Sequence, residues 1–152
     1  MVLREDGLSE KSIHSIFGIT DTESVKLDLD NVPFEQVKSI ALATLRHFRL
    51  GGFLILKSSS KSYHVVFNRT VSWSKNVGIV AWVCLKWKIR KLTEWLIMQC
   101  IKRASTLRVT SKGNKPSPRI VFRFEKQDKQ IKVFLLERRR IKRIMHRIKN
   151  SN

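Results

Sequence analysis

Apolar and polar residues alternate along VKLDLD, residues 25–30, and this pattern is typical of a strand that buries one face. The valine and the leucines fall on the buried face, while Asp28 and Asp30 fall together on the other. The sequence therefore predicts two carboxylates on the same side of a sheet.

A helix is predicted directly after this strand. Asn31 is a suitable cap for a helix that Pro33 begins, and the Gly51-Gly52 pair ends it. Between them the apolar residues recur with the helical period, at Phe34, Val37, Ile40, Ala41, Leu45 and Phe48.

Strand and helix patterns then alternate along the rest of the chain. GGFLILK and YHVVFN predict a hairpin over 52–68, and an apolar stretch over 77–103 predicts a helix that breaks near residues 86–91. TLRVT predicts another strand, IVFRFEKQ and QIKVFLLE predict a closing hairpin, and ERRRIKRIMHRIKN predicts a basic amphipathic helix. Ser9 is a candidate cap for a short helix over 8–17.

The order of the central elements, β-α-β-β-α-β, indicates an α+β fold with an RRM-like or ferredoxin-like core, to which a C-terminal β-hairpin and a basic helix are added. A chain of 152 residues, 42% of them hydrophobic, can bury one core, so we expect a single domain over 1–152. Within it we expect an acidic amino-terminal segment over 1–24, the α+β core over 25–136 and the basic helix over 137–152.

Charge narrows the class of partner. The chain carries 31 Lys and Arg against 12 Asp and Glu, a formal net charge of +19. Residues 1–35 hold eight acids and three bases, so the other 117 residues hold 28 bases and four acids. A surface of one sign beside an acidic region favours a polyanion, and nucleic acid is the first candidate.

The cysteines and the lack of a targeting signal indicate the compartment. Cys84 and Cys100 have no metal-ligand spacing and are expected to be buried, reduced thiols, as is usual inside cells. The amino terminus has no signal-peptide pattern, and the longest apolar run, residues 77–85, is too short to span a bilayer. We therefore expect a cytoplasmic protein with no membrane span.

The predicted strands bring candidate chemistry together. In a split β-α-β sheet, VKLDLD and YHVVFN can share one face, so Asp28, Asp30 and His64 form a candidate cluster. Paired carboxylates can hold a divalent metal, because hard cations bind anionic oxygens. The same residues are also compatible with a solvated strand face and a structural sheet histidine. Near the turn, candidate nucleotide-binding residues suit a triphosphate through charge and hydroxyl groups: Lys57, Lys61 and Ser62.

These motifs resemble those of the archaeo-eukaryotic primase superfamily. LDLD at 27–30 is similar to the hydrophobic-DxD first motif of that family, and SYH at 62–64 is similar to its Ser-x-His second motif. The resemblance covers about residues 25–110 and implies that Asp28 and Asp30 bind Mg²⁺ or Mn²⁺.

The same resemblance implies that His64, with Ser62, contacts the phosphates of an incoming nucleotide. The third motif of the family is an aspartate that completes a two-metal site, but Arg108 stands in the equivalent strand, TLRVT. Either Glu125 or Asp128 supplies the third carboxylate, or the arginine forms a salt bridge with the aspartate pair.

Basic residues interleaved with tryptophans predict the nucleic-acid-binding surface. Lys and Arg neutralise phosphates, and exposed Trp side chains stack on single-strand bases. The predicted contacts are Trp73, Lys75, Lys86, Trp87, Lys88, Arg90, Arg108, Lys112, Lys115, Arg119, Arg138, Arg139, Arg140 and Arg143.

Three functions are open on the sequence. The first is a nucleic-acid-binding protein of replication, with single-stranded DNA favoured over RNA, built on a primase-like core. The second is a minimal metal-dependent primase or nucleotidyltransferase that uses Asp28, Asp30 and His64. The third is an RNA-binding component of a ribonucleoprotein particle, for which strong basicity is ordinary.

Overall fold

The computed structural model describes residues 2–6 and 15–151. Seven strands and four helices lie in this part of the chain. The strands are β1 (Val2–Asp6), β2 (Ser15–Asp21), β3 (Ser24–Asp30), β4 (Gly52–Ser59), β5 (Ser62–Thr70), β6 (Ser105–Arg108) and β7 (Arg119–Glu125). The helices are α1 (Phe34–Phe48), α2 (Trp73–Trp87), α3 (Arg90–Lys102) and α4 (Gln130–Asn150). The α+β class expected from the sequence is confirmed.

The strands form two antiparallel sheets. The larger sheet has the order β3-β5-β4-β7, and the smaller has the order β1-β2-β6. Since β5 lies between β3 and β4 and is antiparallel to both, β3 and β4 run parallel to each other, and α1 connects them. The register of β3 and β5 places Asp28 opposite His64 and Asp30 opposite Ser62. The topology thus sets the two acidic residues beside the histidine motif.

Both faces of the larger sheet are covered. Phe53, Ile55 and Val65 pack with α1, α2 and α3 in one apolar core. Leu54 and Val66, which alternate with them, pack with α4 and the smaller sheet in a second core. Because both faces are buried, β4 and β5 read as apolar runs instead of alternating patterns.

The last two strands differ from the expected ferredoxin-like order. β6, the expected fourth strand of the core, pairs with β2, and Gly18 lies opposite Arg108 in that pair. A Cβ on Gly18 would lie 2.8 Å from the side chain of Thr106, so this close approach of the two strands requires glycine. On the side of β4 away from β5, β7 pairs with β4 and forms the edge of the sheet. The sheet that contains β3, β4 and β5 is therefore extended by β7 and not by β6.

The segment QIKVFLLE forms the first part of α4, so the predicted C-terminal hairpin is wrong. The helix begins at Gln130, earlier than the predicted start at residue 137. Asn68 of β5 supplies its cap, because Asn68 Oδ1 accepts the backbone N–H of Lys129 at 2.8 Å and that of Ile131 at 3.3 Å. Because the capping residue is 61 residues away in sequence, the local sequence does not predict where this helix begins.

Two other helix boundaries can be compared with the sequence. The predicted break in the long helical stretch is confirmed: α2 ends at Trp87, and Lys88 has a left-handed backbone before α3 begins. Asn31 does not cap α1, because Pro33 occupies the N-cap position and makes no side-chain cap. Asn31 instead donates its backbone N–H to the carbonyl oxygen of Lys61 at 2.9 Å.

The amino-terminal segment contributes strands to the smaller sheet. Residues 8–14 of the predicted short helix lie outside the described residues, and residues 15–17 belong to β2. Cys84 is half-buried and Cys100 is exposed, so the expectation of two buried thiols fails for Cys100, although both thiols are free. Among the described helices, none has the length and apolar character needed to cross a membrane.

Candidate functional site

The acidic pair and the histidine lie together on the face of β3 and β5 that also carries Lys26 and Val66. His64 Nε2 lies 3.6 Å from Asp28 Oδ1. The imidazole is nearly buried, with 5% of its side chain exposed, whereas Asp28 keeps 26% exposed. The grouping of Asp28, Asp30 and His64 predicted from the sequence is therefore present in the structure.

The two facing residues have shifted pKa values of opposite sign. Burial and the neighbouring charge of Asp30 raise the pKa of Asp28 to about 7. Lys115 and Arg108 offset part of that rise. Burial lowers the pKa of His64 to about 3, and the same two cations act in that direction. His64 Nδ1 is buried without a hydrogen-bond partner. At neutral pH the imidazole is uncharged, and the carboxyl group is close to its titration midpoint.

The described residues do not complete a centre for Mg²⁺ or Mn²⁺. No group of three or more His, Cys, Asp or Glu side chains in this part of the chain is arranged to hold a metal ion. Glu125 lies exposed at the end of β7, and Asp128 accepts a hydrogen bond from Asn68 Nδ2 at 3.0 Å. A two-metal site needs carboxylate oxygens that converge from several sides, so the aspartate pair does not fit the site that the resemblance implies.

Arg108 lies near the aspartate pair without bonding to it. Its guanidinium donates hydrogen bonds to the backbone carbonyl oxygens of Ser58 at 2.6 Å, of Pro116 at 2.8 Å and of Thr110. No ion pair joins Arg108 to either aspartate among the described residues, so the predicted salt bridge is not formed. These hydrogen bonds connect the loop after β6 to β4. The positive charge of Arg108 also interacts with Asp28 without direct contact.

The predicted nucleotide-binding turn has only a small recess. A cavity of about 180 Å³ lies between this turn and the start of α1, and its lining includes Ser60, Lys61 and Tyr63. Ser62 is buried and does not line the cavity, and Lys57 Nζ lies 6.0 Å from the centre of the Tyr63 ring. Of the residues predicted to bind a triphosphate, only Lys61 reaches this recess.

The tryptophans predicted to stack on bases are partly buried. Trp87 packs edge-on against Trp82, with ring centres 5.6 Å apart. Lys86 Nζ lies 4.8 Å from one of these rings and 5.2 Å from the other, so the lysine covers both of them. Trp73 begins α2 and is also only partly exposed. Trp82 and Trp87 pack against the helical side of the first core, and Trp73 stays half-exposed at the start of α2.

The other predicted cationic contacts are spread over several surfaces. On the helical side, Arg90 is bound to Glu94 at 3.1 Å. In the loop before β7, Lys112 and Lys115 exchange backbone hydrogen bonds of 3.0 and 2.9 Å. Outside α4, the exposed cations of the predicted set are Lys75, Lys86, Lys88, Arg90, Lys112, Lys115 and Arg119. They do not converge on a single site.

A basic groove of about 450 Å³ lies between β7 and α4. It brings together three of the predicted residues, Arg138, Arg139 and Arg143, with others from the same helix and with Arg123 from β7. The full lining is Ile120, Arg123, Leu135, Arg138, Arg139, Lys142, Arg143, His146 and Arg147. The sequence-based set lacks Arg123, because the predicted hairpin would have paired β7 with QIKVFLLE and left no helix beside it. Arg140 is not in this lining.

The groove concentrates like charges without a neutralising acid in its lining. Burial and the charge of Arg123 lower the pKa of Arg138, and burial and the charge of Arg138 lower the pKa of Lys142. Arg138 Nε is buried without a hydrogen-bond partner, while its Nη2 donates to the carbonyl oxygen of Pro118 at 3.2 Å. An anion in the groove would relieve the repulsion between these cations.

No protein-family model, curated protein or solved structure matches this chain.

Proposed function

We propose that the protein binds nucleic acid through the basic groove, with single-stranded DNA as the preferred ligand. The observation that carries the proposal is the lining of that groove, in which six Arg and Lys side chains and one histidine converge without any carboxylate. Anion binding at such a site is favoured because every lining cation is repelled by its neighbours until a negative charge enters.

Several features favour a nucleic-acid strand over a small anion. The chain carries a net charge of +19. The exposed cations Lys112 and Lys115 precede β7, the strand that forms one wall of the groove, and the exposed Arg119 begins it. A groove of about 450 Å³ has the size of a small-ligand site and suits a short stretch of one strand better than a duplex. Because Trp73 and Trp87 are partly buried, phosphate contacts and not base stacking would supply most of the affinity.

The larger sheet supports the finer proposal that this is an RRM-like core of the primase type. β3, α1, β4 and β5 follow the split β-α-β arrangement, with β5 inserted between two parallel strands. The pairing of Asp28 with His64 and of Asp30 with Ser62 also suits that resemblance. In this proposal the core keeps the arrangement of a primase and uses its cationic surface to hold a strand in replication.

One observation favours a second candidate, the metal-dependent nucleotidyltransferase. Asp28, Asp30, His64 and Ser62 share one sheet face, as nucleotide chemistry at two carboxylates would need. The missing third carboxylate makes this the weaker of the two functions. Template-dependent incorporation of nucleotides with Mn²⁺ or Mg²⁺, abolished by Asp28→Ala, would establish it.

The groove can be tested with two double variants of equal charge. Arg139→Gln/Arg143→Gln removes two exposed cations that line the groove, and Arg90→Gln/Lys91→Gln removes two exposed cations from α3. Affinity for a labelled single-stranded oligonucleotide is measured by fluorescence anisotropy over a series of salt concentrations. The groove variant should flatten the dependence of log K on log salt by about 0.7 for each phosphate that is no longer neutralised, and the α3 variant should not.

Three results would each reject one part of the proposal: the groove as the site, the preference for single strands, or DNA as the ligand. Equal decreases in affinity in both double variants would mean that charge alone, and not the groove, holds the ligand. A tighter complex with duplex DNA of the same length would reject the single-strand preference. A tighter complex with RNA of the same sequence would reject DNA and favour the ribonucleoprotein role.

A further inference from the structure

A line of aliphatic side chains is exposed along α4. Val133, Leu136, Ile144 and Ile148 are 57, 54, 40 and 45% exposed. With Arg140 they follow one another at intervals of three or four residues, so they lie on one face of the helix. This apolar stripe extends over about 22 Å at the 1.5 Å rise per residue of an α-helix. It is long enough to accept four turns of another helix.

The aliphatic residues of the apolar stripe differ from those on the other two faces of α4. One face, with Ile131, Phe134 and Ile141, is buried in the second core. A second face, which includes Leu135 and Lys142, lines the basic groove. The apolar stripe occupies the third face. Packing of α4 against the second core does not require aliphatic residues on this exposed face. Large apolar side chains exposed in a row are typical of an interaction surface.

We propose that the apolar stripe is a docking face for an acidic amphipathic helix of a partner protein. The charges beside it favour this chemistry: Lys132 and Arg140 accompany the stripe, and Arg143 and Arg147 lie at the border between the stripe and the basic groove. The acid near it, Glu137, is already bound to Arg140 at 3.6 Å. A partner helix with an apolar line and flanking Glu or Asp would cover the aliphatic side chains and place carboxylates against the arginines.

A second copy of the chain fits the stripe less well. If two stripes faced each other, the arginines at 140, 143 and 147 of one copy would approach those of the other, and like charges would oppose the contact. An acidic helix meets the same apolar face and is attracted by the net positive charge beside it. Charge therefore favours a partner of opposite sign over self-association.

An anionic membrane surface is also a weaker match. Helices that lie in the membrane interface usually place Trp or Phe together with Leu on their apolar face, and this stripe contains Val, Leu and Ile without an aromatic ring. This composition favours a protein helix as the occupant.

The test uses the full chain and two synthetic fluorescent peptides of identical composition. One peptide has Leu at positions i, i+3, i+4 and i+7 with Glu around them, and the other has the same residues in an order without an apolar face. The chain should bind the first peptide at least about tenfold more tightly than the second at about 0.15 M salt, because only the first can cover the stripe. Equal affinities would overturn the proposal, since they would report charge alone.

Variants then locate the peptide. Ile144→Gln/Ile148→Gln should remove most of the preference for the amphipathic peptide, while Ile97→Gln/Ile101→Gln, at exposed aliphatic positions of α3, should retain it. Loss of the preference in both variants, or in neither, would overturn the assignment to α4. All four substituted residues are exposed, so each variant is expected to fold, and circular dichroism checks this.

Two further measurements decide between occupants. Dimerisation of the wild-type chain in sedimentation, abolished by Ile144→Gln/Ile148→Gln, would assign the stripe to a second copy and overturn the proposal. Binding to phosphatidylserine vesicles that the same variant abolishes, without a preference between the peptides, would assign it to a membrane and overturn the proposal as well. Single-stranded DNA affinity of the variant is measured in parallel and should stay within about twofold of wild type, because neither Ile144 nor Ile148 lines the groove. Failure of the peptide test with intact DNA binding leaves the proposed function standing.

Discussion

Asp28 and His64 respond to burial in opposite directions, and their contributions to the pH dependence of stability nearly cancel. In the folded chain the pKa of Asp28 is about 7 and that of His64 is about 3, so between these values the pair holds one proton. In the unfolded chain, with ordinary values of 3.8 and 6.5, the pair also holds one proton over most of that range. Because equal numbers of protons are bound in both states, this pair adds little pH dependence between about pH 4 and 6.5.

Replacing one member of the pair should expose the contribution of the other. In Asp28→Asn, burial still keeps the pKa of His64 low in the folded chain, so the unfolded chain binds the proton more readily. The free energy of unfolding is therefore retained above pH 6.5 and falls as the pH is lowered. In His64→Leu, Asp28 remains protonated when folded but not when unfolded, so stability falls as the pH rises from about 4 towards 7. Each slope should approach about 1.4 kcal/mol per pH unit.

Urea unfolding of both variants at several pH values between about 4 and 7.5 measures these slopes. Wild-type protein is the control and should change least over the same range. Slopes of the same sign in the two variants would contradict the opposite titration of the pair. The sequence placed Asp28 and His64 on one sheet face through the alternation in VKLDLD and the split β-α-β order of the elements. The protonation of the two residues depends instead on how completely β5 is covered.

At the scale of elements, one glycine holds the connection between β7 and α4 against β4. A Cβ on Gly52 would lie 1.9 Å from the carbonyl oxygen of Lys126, and the backbone N–H of Lys126 donates to the carbonyl oxygen of Gly51 at 3.2 Å. The close approach of these two backbones therefore requires glycine at position 52. The Gly51-Gly52 pair, predicted only as the end of a helix, has this second role.

Gly52→Ala should destabilise the protein by at least about 3 kcal/mol, because the backbone at residue 126 must move away. Gly78→Ala is the matched control, since a Cβ there meets nothing within 4 Å on the exposed side of α2. That control should raise stability by about 0.5–1 kcal/mol through helix propensity. Thermal or urea unfolding compares the two, and equal effects of the two alanines would show that backbone crowding at Gly52 is unimportant.

Elements whose apolar residues fit only one type of secondary structure were predicted well. Elements whose apolar residues fit both a helix and a strand were not. α1 and the hairpin of β4 and β5 follow unambiguous helical and apolar patterns. In QIKVFLLE, Ile131, Val133 and Leu135 alternate as in a strand, while Ile131, Phe134 and Leu135 also fit a helix. The cap from Asn68 and burial in the second core favour the helix.

At the scale of the whole molecule, Lys26 joins the two sheets. Its side chain is fully buried, and Nζ lies 2.8 Å from Asp21 Oδ2 of β2 and 3.1 Å from the carbonyl oxygen of Ser105 in β6. Burial lowers the pKa of Lys26 despite this partner. Burial also opposes ionisation of Asp21, but Lys26 and hydrogen bonds hold its pKa below the ordinary value. The carboxylate is 34% exposed, which explains why the pairing benefits the acid more than the lysine.

Asp21→Asn should cost about 3–5 kcal/mol, because it leaves a buried ammonium group without a counterion. Lys26→Met should cost much less, since an apolar side chain of similar length fills the same space. In the double variant the methionine should recover most of the stability that the asparagine removes. Urea unfolding measures all three, and a double variant as unstable as Asp21→Asn alone would contradict this account of the sheet junction.

The sequence by itself determined the α+β class, the main helical and strand segments, the positive charge and the shared face of Asp28 and Asp30. These features depend on residues that are neighbours along the chain, where side-chain period and composition are sufficient. Tertiary structure alone decided that β6 joins β2, that Arg108 binds backbone carbonyls and that Arg123 meets α4 across the basic groove. Strand pairing, desolvation and capping by Asn68 join residues far apart in sequence, and their energies depend on the environment that the finished fold creates.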